Sequence, residues 1–203
     1  MIIENHKEEV PFSHYAELFA KADTGEISQR LGIPFENGAF KLTLLGKTYT
    51  VNHPQATVGG GDLDAPHIPI PLQTFLLRWL LEGKPCAWKG QWKTFREMPW
   101  GELYIQPYTG RVLTRAAYTF ATRVNAFKAA CQKLGAKPLT TGDAGYEFEF
   151  LPGMAMRIQV WAPDEEFPPS AQVLYSDNFE NAFAAEDRVV AADLLIGHIR
   201  AAM

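Results

Sequence analysis

The chain has 203 residues, of which 47% are hydrophobic and 12% aromatic, ample material for one sizeable domain with a buried core. The 19 Lys and Arg against 23 Asp and Glu leave a formal net charge of −4. No basic stripe of the kind that tracks a phosphate backbone is visible, so nucleic acid is not an expected partner.

In chain order, Tyr15, Leu18, Phe19 and Ala22 recur at helical spacing, and Asp23-Thr24-Gly25-Glu26 predicts a capping box before a short helix from Glu26 to Leu31. Phe40, Leu42 and Leu44 alternate with Lys41 and Thr43. That period of two predicts a half-buried strand, turning at Gly46-Lys47 into a partner strand from Thr48 to Asn52. Residues 53–69 carry turn formers without periodicity and read as loop. Leu72, Phe75, Leu76, Trp79 and Leu80 then mark an amphipathic helix closed by Gly83 at the C′ position. A Trp-rich loop follows from Lys84 to Gly101. Pro107 and Gly110 argue for a broken element over residues 103–118, and Phe120, Val124, Phe127, Cys131 and Leu134 define one helix face ended by Gly135. Strands are predicted at 146–151, 156–161 and 171–175, then a second capping box at Asp177-Asn178-Phe179-Glu180 and a terminal helix from Glu186 to Ala202. The expectation is an α+β single domain over 1–203 with a mainly antiparallel sheet. In it, the N-terminal hairpin and the C-terminal strands meet in one sheet, and a helical segment, 1–35, packs on it.

No run reaches the roughly 18 apolar residues needed to cross a bilayer. Met1 to Glu9 lacks the apolar core of a secretory signal, so a cytoplasmic protein with no membrane partner is expected. The two cysteines, Cys86 and Cys131, form no Cys-x-x-Cys pair, which argues against iron–sulfur or zinc-ribbon ligation by this chain alone. Cys131 lies on an apolar helix face and reads as a core thiol. Cys86, between Pro85 and Trp88, is less clearly buried but has no histidine beside it in sequence.

Motifs of known chemistry are mostly imitations. Gly46-Lys47-Thr48 lacks the upstream glycine of a phosphate-binding loop, because that position is Lys41. Asp23-Thr24-Gly25 has a capping role in place of a protease one. The stretch Gly59 to His67 offers Asp62, Asp64 and His67 as oxygen and nitrogen donors, with a spacing that matches no calcium loop, and reads as a connector. The densest donor set is Asp164-Glu165-Glu166 within Val160 to Pro169. In an extended segment Asp164 and Glu166 point the same way, and three adjacent carboxylates would welcome a cation. The alternative is a charged turn whose prolines keep a sheet edge from pairing.

From Trp92 onward the chain resembles DUF3786, a bacterial and archaeal domain family of unknown function. The resemblance rests on Trp92-Lys93-Thr94-Phe95-Arg96-Glu97-Met98-Pro99-Trp100-Gly101, Leu134-Gly135-Ala136, Gly142-Asp143 and Phe150-Leu151-Pro152. It continues through Trp161 to Pro168, Val173-Leu174-Tyr175-Ser176-Asp177 and Glu186-Asp187. The family tends to have phenylalanine directly before the aspartate, where this chain has Tyr175-Ser176-Asp177. The resemblance implies an anaerobic setting and carries over no catalytic residue; the iron–sulfur module of longer relatives finds no cysteines for it here.

With no catalytic motif, the leading expectation is a binding or accessory protein for metal or cofactor metabolism, with the cofactor itself unknown and a small molecule or protein as partner. Trp88, Trp92, Trp100 and Trp161 would line an apolar pocket, with Arg96 and the acidic turn at its rim. One alternative is a metal-dependent hydrolase or lyase using Asp164 and Glu166 with His67 or Asp143. Another is a protein-interaction module with an exposed aromatic patch.

Overall fold

Antiparallel pairing governs every strand contact in the computed structural model, which describes residues 6–60 and 68–203. The chain divides into two units, Met1–Pro85 and Cys86–Met203, and helices and antiparallel sheet occur in each, so the α+β expectation holds. The expectation of one shared sheet does not. Each unit closes its own sheet, and each sheet finds helical cover within its unit, so neither needs strands from the other end of the chain.

The first unit runs α1 (His6–Ala20), α2 (Thr24–Leu31), β1 (Phe35–Glu36), β2 (Ala39–Leu44), β3 (Lys47–Asn52), β4 (Val58–Gly60) and α3 (Ile70–Glu82). Asp23 caps α2 as expected, its Oδ1 accepting from the amides of Gly25 at 2.8 Å and Glu26 at 3.1 Å. The hairpin turns one residue earlier than the spacing suggested. Leu44 pairs with Lys47, leaving Leu45 and Gly46 at φ 49° and 74°, the two left-handed residues of a type I′ turn. Part of the expected 53–69 loop is the strand β4, whose Gly60 passes so close to Thr48 that a Cβ would sit 2.4 Å from its carbonyl oxygen.

Gly83 does end α3, though not in the left-handed conformation: its φ is −57°. A Cβ there would meet Trp79 at 2.4 Å, and that close approach is what requires glycine. Arg30 then satisfies the open C-terminal carbonyls of α3. Its guanidinium donates to Leu80 O at 2.7 Å and Leu81 O at 3.2 Å, and also to Gly83 O, while Glu26 holds it from the other side. The N-terminal helices pack on this unit, α1 and α2 both against α3.

The second unit begins with β5 (Trp92–Thr94) and a 3₁₀ turn, Phe95–Glu97, both inside the stretch read as a Trp-rich loop. The ambiguous region that follows is helical after a turn at Leu103 and Tyr104: α4 (Ile105–Tyr108), a wide π-turn segment at Thr109–Thr114, and α5 (Arg115–Phe120). A 3₁₀ step at Ala121–Arg123 leads into α6 (Val124–Lys133), so Phe120 belongs to the helix before the one it was expected to join. The strands β6 (Lys137–Leu139), β7 (Ala144–Leu151), β8 (Met154–Trp161) and β9 (Ser170–Ser176) lead to α7 (Phe179–Ala182) and α8 (Ala185–Ala202).

The sheet order is β5-β9-β8-β7-β6. Register places Tyr146 and Phe148 of β7, Ile158 and Met156 of β8, and Val173 and Tyr175 of β9 on one face, all buried under α5 and α6. A side chain of this size contributes roughly 2 kcal/mol on leaving water. Among the described residues, no helix is long and apolar enough to cross a membrane.

Candidate functional site

Of the residues singled out in the sequence, Trp88 and Trp92 do meet, edge to face with ring centroids 5.1 Å apart. They join a ladder on the other face of the five-stranded sheet. The Arg157 guanidinium lies 3.9 Å over the Trp92 ring and forks onto Glu147 Oε2 at 2.9 and 2.8 Å, with Lys137 at 3.9 Å from the second oxygen of Glu147. Arg157 therefore already occupies one face of Trp92.

Trp100 and Trp161 do not complete a pocket with them. Trp161 pairs with Ser170 at the opposite end of β8, four residues from Arg157 and so about 13 Å along the strand. Trp100 stands 68% exposed in the Pro99-Trp100-Gly101 turn at φ 65°. Arg96 pairs on the surface with Glu102 at 2.8 Å.

The acidic turn is built on itself. Asp164 Oδ1 accepts from the amides of Glu166 at 2.9 Å and Phe167 at 2.7 Å, and the Asp164 amide donates to Phe167 O at 3.0 Å. The turn joins β8 to β9, and because β5 pairs only with Leu174–Ser176, the stretch Ser170–Val173 beside the turn has no strand partner on its outer side among the described residues. Asp143 ties the same end of the sheet together by accepting from the Ala162 amide at 2.7 Å. His67 lies outside the described residues. Among the described residues, no three His, Cys, Asp or Glu side chains come together as a metal site.

A cavity lies where β9 runs into α7. It has a volume of about 420 Å³. One wall is the strap from Cys86 to Gln91, and the other is Asp177 to Asn181. The expected capping box at Asp177 does not form, because α7 starts without a side-chain cap and both acids are engaged elsewhere. Asp177 Oδ1 accepts from the Lys89 amide at 3.0 Å and Oδ2 from the Gln91 amide at 2.9 Å, while the Asp177 amide donates to Gln91 O at 3.0 Å. Gly90, at φ 88°, lets the strap present both amides to one carboxylate. Glu180 pairs with Lys93.

Asn178 completes the attachment. Its amide donates to Cys86 O at 3.1 Å and to Gly153 O at 2.9 Å, in the β7–β8 turn. Its Oδ1 accepts from the Ser176 hydroxyl at 2.6 Å, and Ser176 accepts from the Ala155 amide at 3.0 Å. Ser176, Asp177 and Asn178 are all buried, and each polar side-chain group has a partner. A buried network satisfied at every member is rigid.

Lys89, Gln91 and Asn181 line the cavity and are exposed, and among the described residues the Lys89 ammonium and the side-chain amides of Gln91 and Asn181 have no hydrogen-bond partner. Cys86 is an exposed free thiol on the same wall and donates to Asn178 O at 3.5 Å. Cys131, in contrast, is a core thiol whose pKa burial pushes up to about 12.

Beneath β9, the Tyr175 hydroxyl donates to Arg188 O at 3.0 Å, which leaves its oxygen to accept from Tyr108 at 3.1 Å. Burial holds both phenols above their ordinary pKa. Arg188 is itself buried, a position that lowers its pKa, and its Nη2 donates to Pro99 O under the Trp100 turn. The strap residues and the Ser176–Asn178 network were not selected from the sequence. The available signal was a run of three small polar residues directly after an apolar strand, a pattern that buries only where another segment closes over it.

Comparison with known proteins gives one match: the model of a domain of unknown function, DUF3786, fits residues 23–198. No curated protein and no solved structure matches the chain.

Proposed function

The chain belongs to the DUF3786 family, and from that premise we propose that it is a non-catalytic binding or accessory protein whose small-molecule ligand occupies the cavity between the Cys86–Gln91 strap and the Asp177–Asn181 segment. The observation that carries this reading is a contrast within one cavity. The backbone of the strap is pinned by a buried and fully engaged polar network, whereas the side chains of Lys89, Gln91 and Asn181 keep their hydrogen-bonding capacity. A rigidly held loop that carries unengaged polar groups beside a cavity of a few hundred Å³ suits a small polar ligand, because loops held by a rigid scaffold commonly carry binding residues.

Metal or cofactor metabolism in anaerobes is the setting that the family resemblance suggests for such a protein. The family match runs across the Pro85–Cys86 boundary, which supports treating the two units as one inherited domain. The test is a thermal-shift screen of metabolites, cofactors and divalent metals against the wild type and Asp177→Ala. At 100 times its dissociation constant a ligand stabilises the native state by about 2.7 kcal/mol. A hit is expected to shift the wild type and not the variant. Hits that shift both equally would place binding elsewhere.

A second reading, a protein-interaction module, has an observation of its own. Trp100, Leu103 and Tyr104 stand 68%, 72% and 53% exposed within five residues, and aromatic side chains of this kind anchor protein interfaces. Co-purification of one partner, lost in a Trp100→Ala and Tyr104→Ala double variant, would favour it.

A further inference from the structure

We propose that the ligand of this cavity carries a negatively charged oxyanion group, carboxylate or phosphate, and that Lys89 is its anchoring cation; the inference rests on the cavity being a binding site. Four charged side chains line the cavity: Lys89, Lys93, Asp177 and Glu180. Three already have partners. Asp177 accepts one backbone amide on each oxygen, and Lys93 and Glu180 form an ion pair. Among the described residues, Lys89 is the cavity charge without one. Its own amide is fixed on Asp177, next to Gly90 in a left-handed conformation, so the backbone that carries the ammonium is held while the ammonium stays open.

The neighbouring open groups are the amides of Gln91 and Asn181, each of which offers N–H donors to anion oxygens. A positively charged ligand would find both carboxylates of the cavity engaged and would meet Lys89 with repulsion. An anion would meet an ammonium and two amides that have no partner among the described residues.

Cys86 reports on occupancy, because it is exposed on the cavity wall while Cys131 is buried. The experiment follows the rate of Cys86 alkylation by iodoacetamide at constant ionic strength in the presence of four size-matched probes. These are glycerate, glycerol 3-phosphate, glycerol and 3-amino-1,2-propanediol. A probe at roughly ten times its dissociation constant slows labelling about ten-fold. Protection is expected from glycerate, glycerol 3-phosphate or both, and the two anions separate a carboxylate from a phosphate ligand. That protection is expected to vanish in Lys89→Gln and to survive in Lys89→Arg, with each variant compared to its own rate without probe.

Protection by glycerol or by the amine equal to that by the anions would overturn the charge assignment while leaving the cavity a binding site. Protection by an anion that persists in Lys89→Gln would overturn the role of Lys89. Labelling unaffected by every probe would overturn the anion assignment, while the binding reading is decided separately by the thermal-shift screen.

Discussion

Asp177 and Gln91 hold each other twice: the Gln91 amide donates to Oδ2 of Asp177 at 2.9 Å, and the Asp177 amide donates to Gln91 O at 3.0 Å. With the Lys89 amide on the other carboxylate oxygen, one aspartate fixes the strap to the end of β9. A hydrogen bond to a buried charged group contributes about 1.5–3 kcal/mol, so Asp177→Ala is expected to lower stability by roughly 3 kcal/mol. Asp177→Asn, which keeps one acceptor, is expected to cost about half as much. Urea unfolding measures the loss, and amide exchange at Lys89 and Gln91 is expected to accelerate in both variants.

The ladder on the open sheet face makes a separate prediction. Arg157 stacks on Trp92 and forks onto Glu147. A double-mutant cycle between Arg157→Met and Trp92→Leu is expected to give a coupling of about 1 kcal/mol. Indole fluorescence is expected to change in Arg157→Met, because the guanidinium no longer covers the ring. A coupling near zero would mean that the stack contributes nothing to stability.

Alkaline pH is expected to destabilise the fold, with a sign that follows from burial. The Cys131 thiol has an ordinary pKa of 9.0, raised to about 12 in the folded chain, and the Tyr108 and Tyr175 phenols are raised above 10.0. For groups raised in this way the folded state binds protons more tightly than the unfolded chain. Their contribution is complete below about pH 9 and is lost as pH climbs towards 12. Urea midpoints are expected to be flat for these groups up to pH 8 and to fall beyond pH 9. Cys131→Ala is expected to reduce the slope most around pH 9, where tyrosines with an ordinary pKa of 10.0 are only beginning to titrate in the unfolded chain.

Trp100 occupies the left-handed region at φ 65°, a conformation that costs a side-chain-bearing residue roughly 1 kcal/mol. Its indole is mostly in solvent, so little packing offsets the strain. Trp100→Gly is therefore expected to leave the melting temperature unchanged or to raise it by a few degrees. The adjacent Gly101 behaves oppositely. A Cβ there would lie 1.9 Å from Phe95 O, and Gly101→Ala is expected to unfold the turn and cost about 3 kcal/mol or more. Thermal denaturation of the two variants separates a strained but dispensable side chain from a required glycine.

Periodicity made the long elements legible. The β2–β3 hairpin, α3, α6, the three C-terminal strands and α8 all carry their period openly, because one face is buried and the other is not. What did not show was anything decided by contact across the chain. The strand β5 is three residues long and exists because Trp92 to Thr94 pair with Leu174 to Ser176 of β9, far along the chain. The helical run through Pro107 and Gly110 is sustained by burial of Tyr108 and Val112, which propensity does not register.

The candidate site was legible only in fragments. The Trp88–Trp92 contact lies within one segment and was readable. Asp177 looked like a helix cap because the local pattern fits one. Its true partners, the amides of Lys89 and Gln91, belong to a loop whose side-chain sequence carries no trace of where its backbone donors point. The acidic turn drew attention through its charge, yet Asp164 is engaged by the turn's own amides.

Occupancy of the cavity beside the strap by a small molecule would shield Cys86, which is exposed on the cavity wall. Its most direct test is the rate of Cys86 alkylation in the wild type, with and without the dialysable fraction of a cell extract, beside the same pair of rates in Asp177→Ala. The account expects the fraction to slow labelling in the wild type and to have no effect in the variant, whose strap is released from the cavity wall. Equal rates with and without the fraction in the wild type would contradict it.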